Sequence, residues 1–240
     1  MNNQTLWRPT RIIEDSSGEF SFNKKEIYPG SWHIAELQVK HYVPLLNQYA
    51  SGKLLDCGCG QMPWYGIYRD KTSFVYAIDW SENPLVKQHL DENLDLSASF
   101  QLKESEFDSV VLTDVIAHIA SPDVLVQSIT NHLKRDGHLI LTTPFVYWIS
   151  EYPHEYNHMT DAALRLLCER HGLEIIHLKS YGGYGDVFLD TLNKGMTTRI
   201  SHRIYRLLAS VVKKTSWYKK VNLKTQYSYP LGYTLVAKKK

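Results

Sequence analysis

"LLDCGCG", residues 54–60, carries the strongest pattern in the chain: two leucines run into Asp56-Cys57-Gly58-Cys59-Gly60. This reads as an apolar strand that ends in an acid and two glycines one residue apart. Glycines at such a place reach backbone angles closed to other residues and let a ligand approach the main chain closely. A dinucleotide turn would continue as G-x-G-x-x-G, but Pro63 stands at the third glycine position. It would also hold a pyrophosphate at a helix N-terminus, where Asp56 would repel the anion. The turn therefore points to a ligand bearing positive charge.

From residue 52 onward, short β-branched runs alternate with helical patterns, which predicts an α/β fold with a parallel sheet flanked by helices. The candidate strands are 53–57, 74–80, 109–115, 138–144, 173–179 and 233–239. Ser121-Pro122-Asp123 opens a helix that runs through Leu125, Ile129 and Leu133 and is expected to stop at Gly137. A second begins at Thr160-Asp161, buries Leu164, Leu167 and Cys168, and stops at Gly172. Residues 30–49 read as largely helical as well.

The 43% hydrophobic and 22% charged composition fits a soluble globular domain, and no apolar run approaches the length of a membrane span. The first thirteen residues lack the apolar core of a signal peptide. Cys57, Cys59 and Cys168 form no C-x-x-C pair, so no disulfide framework is expected and a reducing cytoplasm is the simplest home.

The second candidate strand ends in Asp79, and Trp80 follows. A carboxylate there can accept two hydrogen bonds from a ribose diol, and the indole can cover an adenine. S-adenosylmethionine meets these demands, because it carries a sulfonium, an ammonium group and no phosphate. "LLDCGCG", "IDW", "FDSVVLTDVIAHI" and "LILTTPF" together resemble the class I S-adenosylmethionine-dependent methyltransferases, of the type 11-like group. The resemblance covers roughly residues 50–180 and the final strand. It implies a Rossmann-like, seven-stranded, mostly parallel sheet with helices on both faces and an antiparallel last strand.

By the same resemblance, Asp56, Gly58 and Gly60 form the floor under the methionine part of the cofactor. Asp79 holds the ribose, Asp95 lies near the adenine amino group, and Thr113 and Asp114 line the methyl-donor side. The chain departs from the family at Ala117-His118, where Glu-His is common, and at Arg135-Asp136-Gly137, where Pro-Gly-Gly is common.

Residues 154–158, "HEYNH", match the zinc-protease pattern H-E-x-x-H, which needs both histidines on one helix. Thr160-Asp161 is the better helix start, so the two histidines are expected in a loop, and no metal site is expected. That loop leaves the fifth candidate strand at its carboxyl end, where α/β sheets bind ligands. Pro153, His154, Tyr156 and Thr160 are also similar to a P-H-x-Y-x-x-x-T segment of methyltransferases in polysaccharide biosynthesis. The resemblance implies a sugar hydroxyl on a glycan or lipid-linked precursor as acceptor. His154 is then the first choice of base, with His158 and His118 behind it, and Tyr156 positions the acceptor. A small molecule, lipid or quinone as acceptor, or a binding protein without catalysis, are the alternatives.

Charge is unevenly spread. Residues 1–190 hold 15 Lys/Arg against all 25 Asp/Glu, whereas residues 191–240 hold 12 Lys/Arg and no acid. Within that tail Ile200, Ile204, Leu207, Leu208 and Val211 recur at helical spacing beside Arg199, Arg203, Arg206 and Lys213. Such a basic amphipathic helix either lies on an anionic membrane, through residues 199–220, or packs on the domain with a solvated basic rim. Nucleic acid is not expected, because no binding motif accompanies the charge. The expected organisation is an N-terminal helical segment (1–50), a methyltransferase domain (51–183 with 226–240) and a basic, partly helical insertion (184–225).

Overall fold

The computed structural model describes residues 3–80 and 84–240. A small hairpin comes first, β1 (Ile12–Glu14) against β2 (Phe20–Phe22), followed by α1 (Trp32–Tyr49). Then come β3 (Gly52–Cys57), α2 (Tyr65–Tyr68), β4 (Thr72–Asp79), α3 (Pro84–Lys87), β5 (Glu92–Asn93), β6 (Phe107–Thr113) and α4 (Pro122–His132). The chain continues through β7 (Leu133–Pro144), α5 (Asp161–Arg170), β8 (Leu173–Tyr181), α6 (Tyr184–Lys194), α7 (Arg199–Lys214), α8 (Ser216–Thr225) and β9 (Gly232–Lys239).

Seven strands form one sheet in the order β5-β4-β3-β6-β7-β9-β8. β3, β4, β5, β6 and β7 pair in parallel, and β9 lies antiparallel between β7 and β8. This is the Rossmann-like sheet expected, with an antiparallel last strand.

Alternation along each strand divides the core between the two faces. Leu55, Val110, Leu112, Leu139 and Leu141 point to the side covered by α4 and α5, where Leu125, Ile129, Leu164 and Leu167 pack on them. Leu54, Val111 and Ile140 point the other way, onto Tyr42, Leu45 and Leu46 of α1 and Ile67 and Tyr68 of α2. Asp56 shares the parity of Leu54 and so faces the α1/α2 side.

Two local expectations change. The helix opened by Pro122 ends at His132 instead of running to Gly137, because Leu133 is already paired with Phe107 of β6. The His132 ring closes that end, with Nδ1 2.8 Å from the Ser128 carbonyl and Nε2 accepting from the Leu102 amide at 3.0 Å. Residues 1–50 are also less helical than expected: β1 and β2 precede α1, and Trp7 and Ile12 join the α1/α2 core. Their turn is held by Asp15, whose Oδ1 accepts from the Ser17 and Glu19 amides.

Helices α6 and α7 meet the start of α1 and the residues just before it through polar contacts, and α8 joins α6 through Tyr218, whose hydroxyl donates to Asp186. Asn193 Nδ2 donates to the Pro29 carbonyl at 2.7 Å, His33 Nε2 lies 2.9 Å from Asp186 Oδ1, and Lys213 pairs with Glu36 at 2.7 Å.

Candidate functional site

β3 is flanked by β4 on one side and β6 on the other, so the chain order reverses at its carboxyl end. Ligands of open α/β sheets bind in the crevice at such a point. The glycine turn sits there. Gly58 and Gly60 have φ of +72° and +52°, and the amides of Gly58 and Cys59 both donate to the Ile78 carbonyl, at 2.8 and 3.1 Å. Asp79 completes the tie: Oδ2 accepts from the Gly60 amide at 2.8 Å and Oδ1 from the Trp80 amide at 2.7 Å. The same carboxylate therefore fixes the end of β4 and the glycine turn together.

Asp56 is buried and accepts a hydrogen bond from Tyr68 Oη. Burial pushes its pKa up to about 7; the tyrosine hydrogen bond opposes that rise and the nearby charge of Asp79 adds to it. Asp114, at φ +56°, turns the chain sharply after β6. Its Oδ1 accepts from Thr142 Oγ1 at 2.8 Å and its Oδ2 from Gln38 Nε2 at 2.5 Å. Burial raises the pKa of Asp114 despite these two donors. Thr113 Oγ1 donates to Tyr42 Oη at 3.1 Å, and that hydroxyl donates to the Ile140 carbonyl.

These groups border a cavity of about 770 Å³, lined by Asp56, Gly58, Cys59, Gly60, Thr113, Asp114 and His118 on the sheet side. Gln38 and Trp64 line it from the helical side, and Arg11, Glu26, Tyr28, Tyr147, Trp148 and Glu151 from the surrounding loops. Asp79 adjoins the lining through the hydrogen bond from the Gly60 amide. Asp95 is exposed and not on the cavity, and its Oδ1 accepts from the Ser97 amide of its own turn. Trp80 is exposed, with its ring 5.5 Å from that of His154.

The segment around "HEYNH" contains no helix, so His154 and His158 are not stacked on one face. Glu155 knots the loop: it accepts from the Ser150 amide at 2.6 Å and the Glu151 amide at 3.1 Å, and lies 2.8 Å from His158 Nε2. Burial would raise its pKa, yet these partners hold it below the usual carboxylate value. The amides of Tyr156 and Asn157 donate to the Ala117 carbonyl, which fastens the loop beside the cavity. His154 Nδ1 is 3.3 Å from Tyr156 Oη, and neither side chain lines the cavity, nor does His158. His118 does, and its Nδ1 donates to the His154 carbonyl at 3.1 Å. A carbonyl can only accept, so the neutral ring carries its proton on Nδ1 and presents Nε2 as an acceptor.

Reading the sequence missed Gln38, Tyr42, Tyr68 and Thr142. One signal was available. Ile34, Ala35, Tyr42, Leu45 and Leu46 of α1 are buried along one face, and Gln38 interrupts that face as its polar member.

The fold is a Rossmann-like sheet whose switch point carries a glycine turn and buried acids, a setting that suits a small, positively charged ligand. A family model described as a methyltransferase domain matches residues 31–178, more than half of the sequence, and the chain belongs to that family. No curated protein matches it. Among solved structures, an S-adenosylmethionine-dependent methyltransferase from Archaeoglobus fulgidus is similar at 15% identity and a TM-score of 0.54, over 84% of this chain and 91% of its own. One from Mesorhizobium loti is similar at 14% and 0.53, over 88% and 98%. The 4+2 cyclase SpnF is similar at 19% and 0.54, over 87% and 83%. At such identities the likeness is one of fold.

The methyl donor implied is S-adenosylmethionine, and the residues present fit it. A Cβ built on Gly60 would meet nothing within 4 Å among the described residues, so these leave open space above its backbone. Asp56 and Asp114 place two carboxyl groups on the cavity, and a sulfonium and an ammonium group beside them would favour their charged forms.

Proposed function

We propose that the protein transfers the methyl group of S-adenosylmethionine to a hydroxyl of a sugar, on a glycan or a lipid-linked precursor. The observation that carries this reading is the meeting of Asp56, Gly60, Asp114 and His118 on one cavity whose walls include Tyr28, Tyr147 and Trp148. Flat aromatic faces offer apolar area to the C–H faces of a sugar ring, with polar groups free to bond its hydroxyls.

In this reading the turn over Gly58–Gly60 and Asp56 hold the methionine end of the cofactor, and Asp79 holds the ribose while bracing the turn. Thr113 and Asp114 border the donor methyl. Trp80 covers the adenine, and Asp95, off the cavity, keeps its own turn in place through the Ser97 amide. The bound cofactor supplies an electrophilic methyl group on its sulfonium. His118 Nε2 accepts the proton of the attacking hydroxyl, held in that tautomer by the His154 carbonyl. The product is a methyl ether. His154 and Tyr156 shape the mouth beside Trp80, and His158 with Glu155 keeps the loop in place.

Incubation with S-adenosylmethionine and a panel of sugar, lipid and quinone acceptors, read by mass spectrometry, tests this. We expect one methyl group on a sugar and a fall of about 100-fold in kcat for His118→Gln with cofactor affinity unchanged. Transfer only to a non-sugar acceptor contradicts the acceptor class. An unchanged rate in His118→Gln removes that residue as the base.

The raised pKa of Asp56 makes cofactor binding dependent on pH. The free protein takes up a proton at Asp56 as pH falls through about 7, whereas a cation beside the group favours the carboxylate. Affinity therefore rises with pH through that value and is about tenfold weaker at pH 6 than at pH 8. Calorimetry in buffers of different ionisation enthalpy should report proton release on binding below pH 7. Affinity flat across this window shows that Asp56 does not face the charged end of the ligand.

A further inference from the structure

We infer that helices α6–α8 form a docking surface for an anionic lipid membrane, with the apolar groove between them taking up the hydrocarbon layer just below the headgroups. α7 is apolar on two faces. His202, Tyr205 and Ala209 are buried against the rest of the protein, and Thr198 caps the helix start through a hydrogen bond from the Ser201 amide. The opposite stripe, which the sequence pattern brings into register at Ile200, Ile204, Leu207 and Val211, remains in solvent, with Ile200 69% and Leu207 71% exposed. Helical periodicity alone would assign that stripe to the core; the structure packs the other one.

Beside the stripe runs a groove of about 380 Å³, walled by Phe188 and Leu192 of α6, Ile204 and Leu208 of α7 and Trp217 of α8. Contiguous apolar surface of this kind on a chain that is otherwise normally polar marks an interaction site.

Charge selects the partner. Arg203, Lys214, Lys219, Lys220 and Lys224 are exposed and have no ion pair among the described residues, and residues 191–240 contain no acid. The side chain of Arg199 lies outside the described residues. Exposed aliphatic and indole side chains flanked by unpaired cations are the chemistry of a helix lying in an anionic interface. A second copy is a poorer match, because two such surfaces would bring like charges together. No helix among the described residues is long and apolar enough to cross a membrane. The surface also adjoins the cavity: Tyr28 lines the cavity, and its ring lies 6.0 Å from His202 and 6.5 Å from Trp148. The inference stands whatever the methyl acceptor is.

Sedimentation of the whole protein with vesicles tests it. We expect binding to phosphatidylglycerol/phosphatidylcholine vesicles that weakens with salt, and little to phosphatidylcholine alone. The Leu207→Glu/Leu208→Glu variant should lose about tenfold or more in vesicle affinity, and Lys219→Glu/Lys220→Glu should lose binding to the anionic vesicles, each with native circular dichroism. Absence of binding to anionic vesicles overturns the inference, as does native affinity for them in both variants. A dimer in analytical ultracentrifugation that the leucine variant abolishes also overturns it, and assigns the surface to a second copy.

Discussion

Gly58→Ala should lower the unfolding temperature by about 5–15 °C and weaken cofactor binding with it. Two costs combine. At φ +72° an L side chain pays roughly 1–2 kcal/mol for the left-handed region. The added Cβ would also stand 2.3 Å from Val115 Cγ2 and 3.0 Å from its Cγ1. Relieving that overlap adds roughly 1–3 kcal/mol. Val115 directly follows Asp114, so pushing it away disturbs both banks of the cavity. Gly60→Ala is the control, because its Cβ would meet nothing among the described residues and the cost of φ remains, a fall of about 2–6 °C. Thermal scans of both variants check this. Equal shifts show that contact with Val115 does not set the requirement for glycine at 58.

Asp79→Ala should remove cofactor binding almost entirely, by about 100-fold or more. Its two oxygens accept from the Gly60 and Trp80 amides, and hydrogen bonds to a charged acceptor contribute roughly 1.5–3 kcal/mol each. Alanine frees the turn from the end of β4, and the loss of one such bond at the ligand corresponds to about tenfold or more in affinity. Asp79→Asn keeps the shape and one oxygen acceptor, and should fall between the two. Affinity in Asp79→Ala within threefold of native shows that the cofactor makes no use of this carboxylate.

Much of this arrangement was legible because it is local. An apolar run before D-x-G-x-G, an acid closing the next strand and Thr160 capping a helix are short-range signals, and the sheet follows from their alternation. Parity along β3 even places Asp56 on the α1/α2 face. Its partner Tyr68 lies twelve residues away in a four-residue helix that no periodicity announces. Gln38 reaches Asp114 across 76 residues, a contact only the packing of α1 creates. The end of α4 was misplaced for a related reason: Leu133 continues the helical apolar pattern, but pairing with Phe107 wins. Which histidine faces the cavity was likewise a question of how the loop is knotted. Glu155, the middle of the apparent zinc motif, holds the loop, and it is His118 that reaches the lining.

A calorimetric titration of the native protein with S-adenosylhomocysteine tests the central claim most directly, with Asp79→Ala as its control. Micromolar binding at one site per chain, lost in the variant, is the result expected. No heat of binding from a protein shown to be folded would contradict the assignment of this cavity to the cofactor.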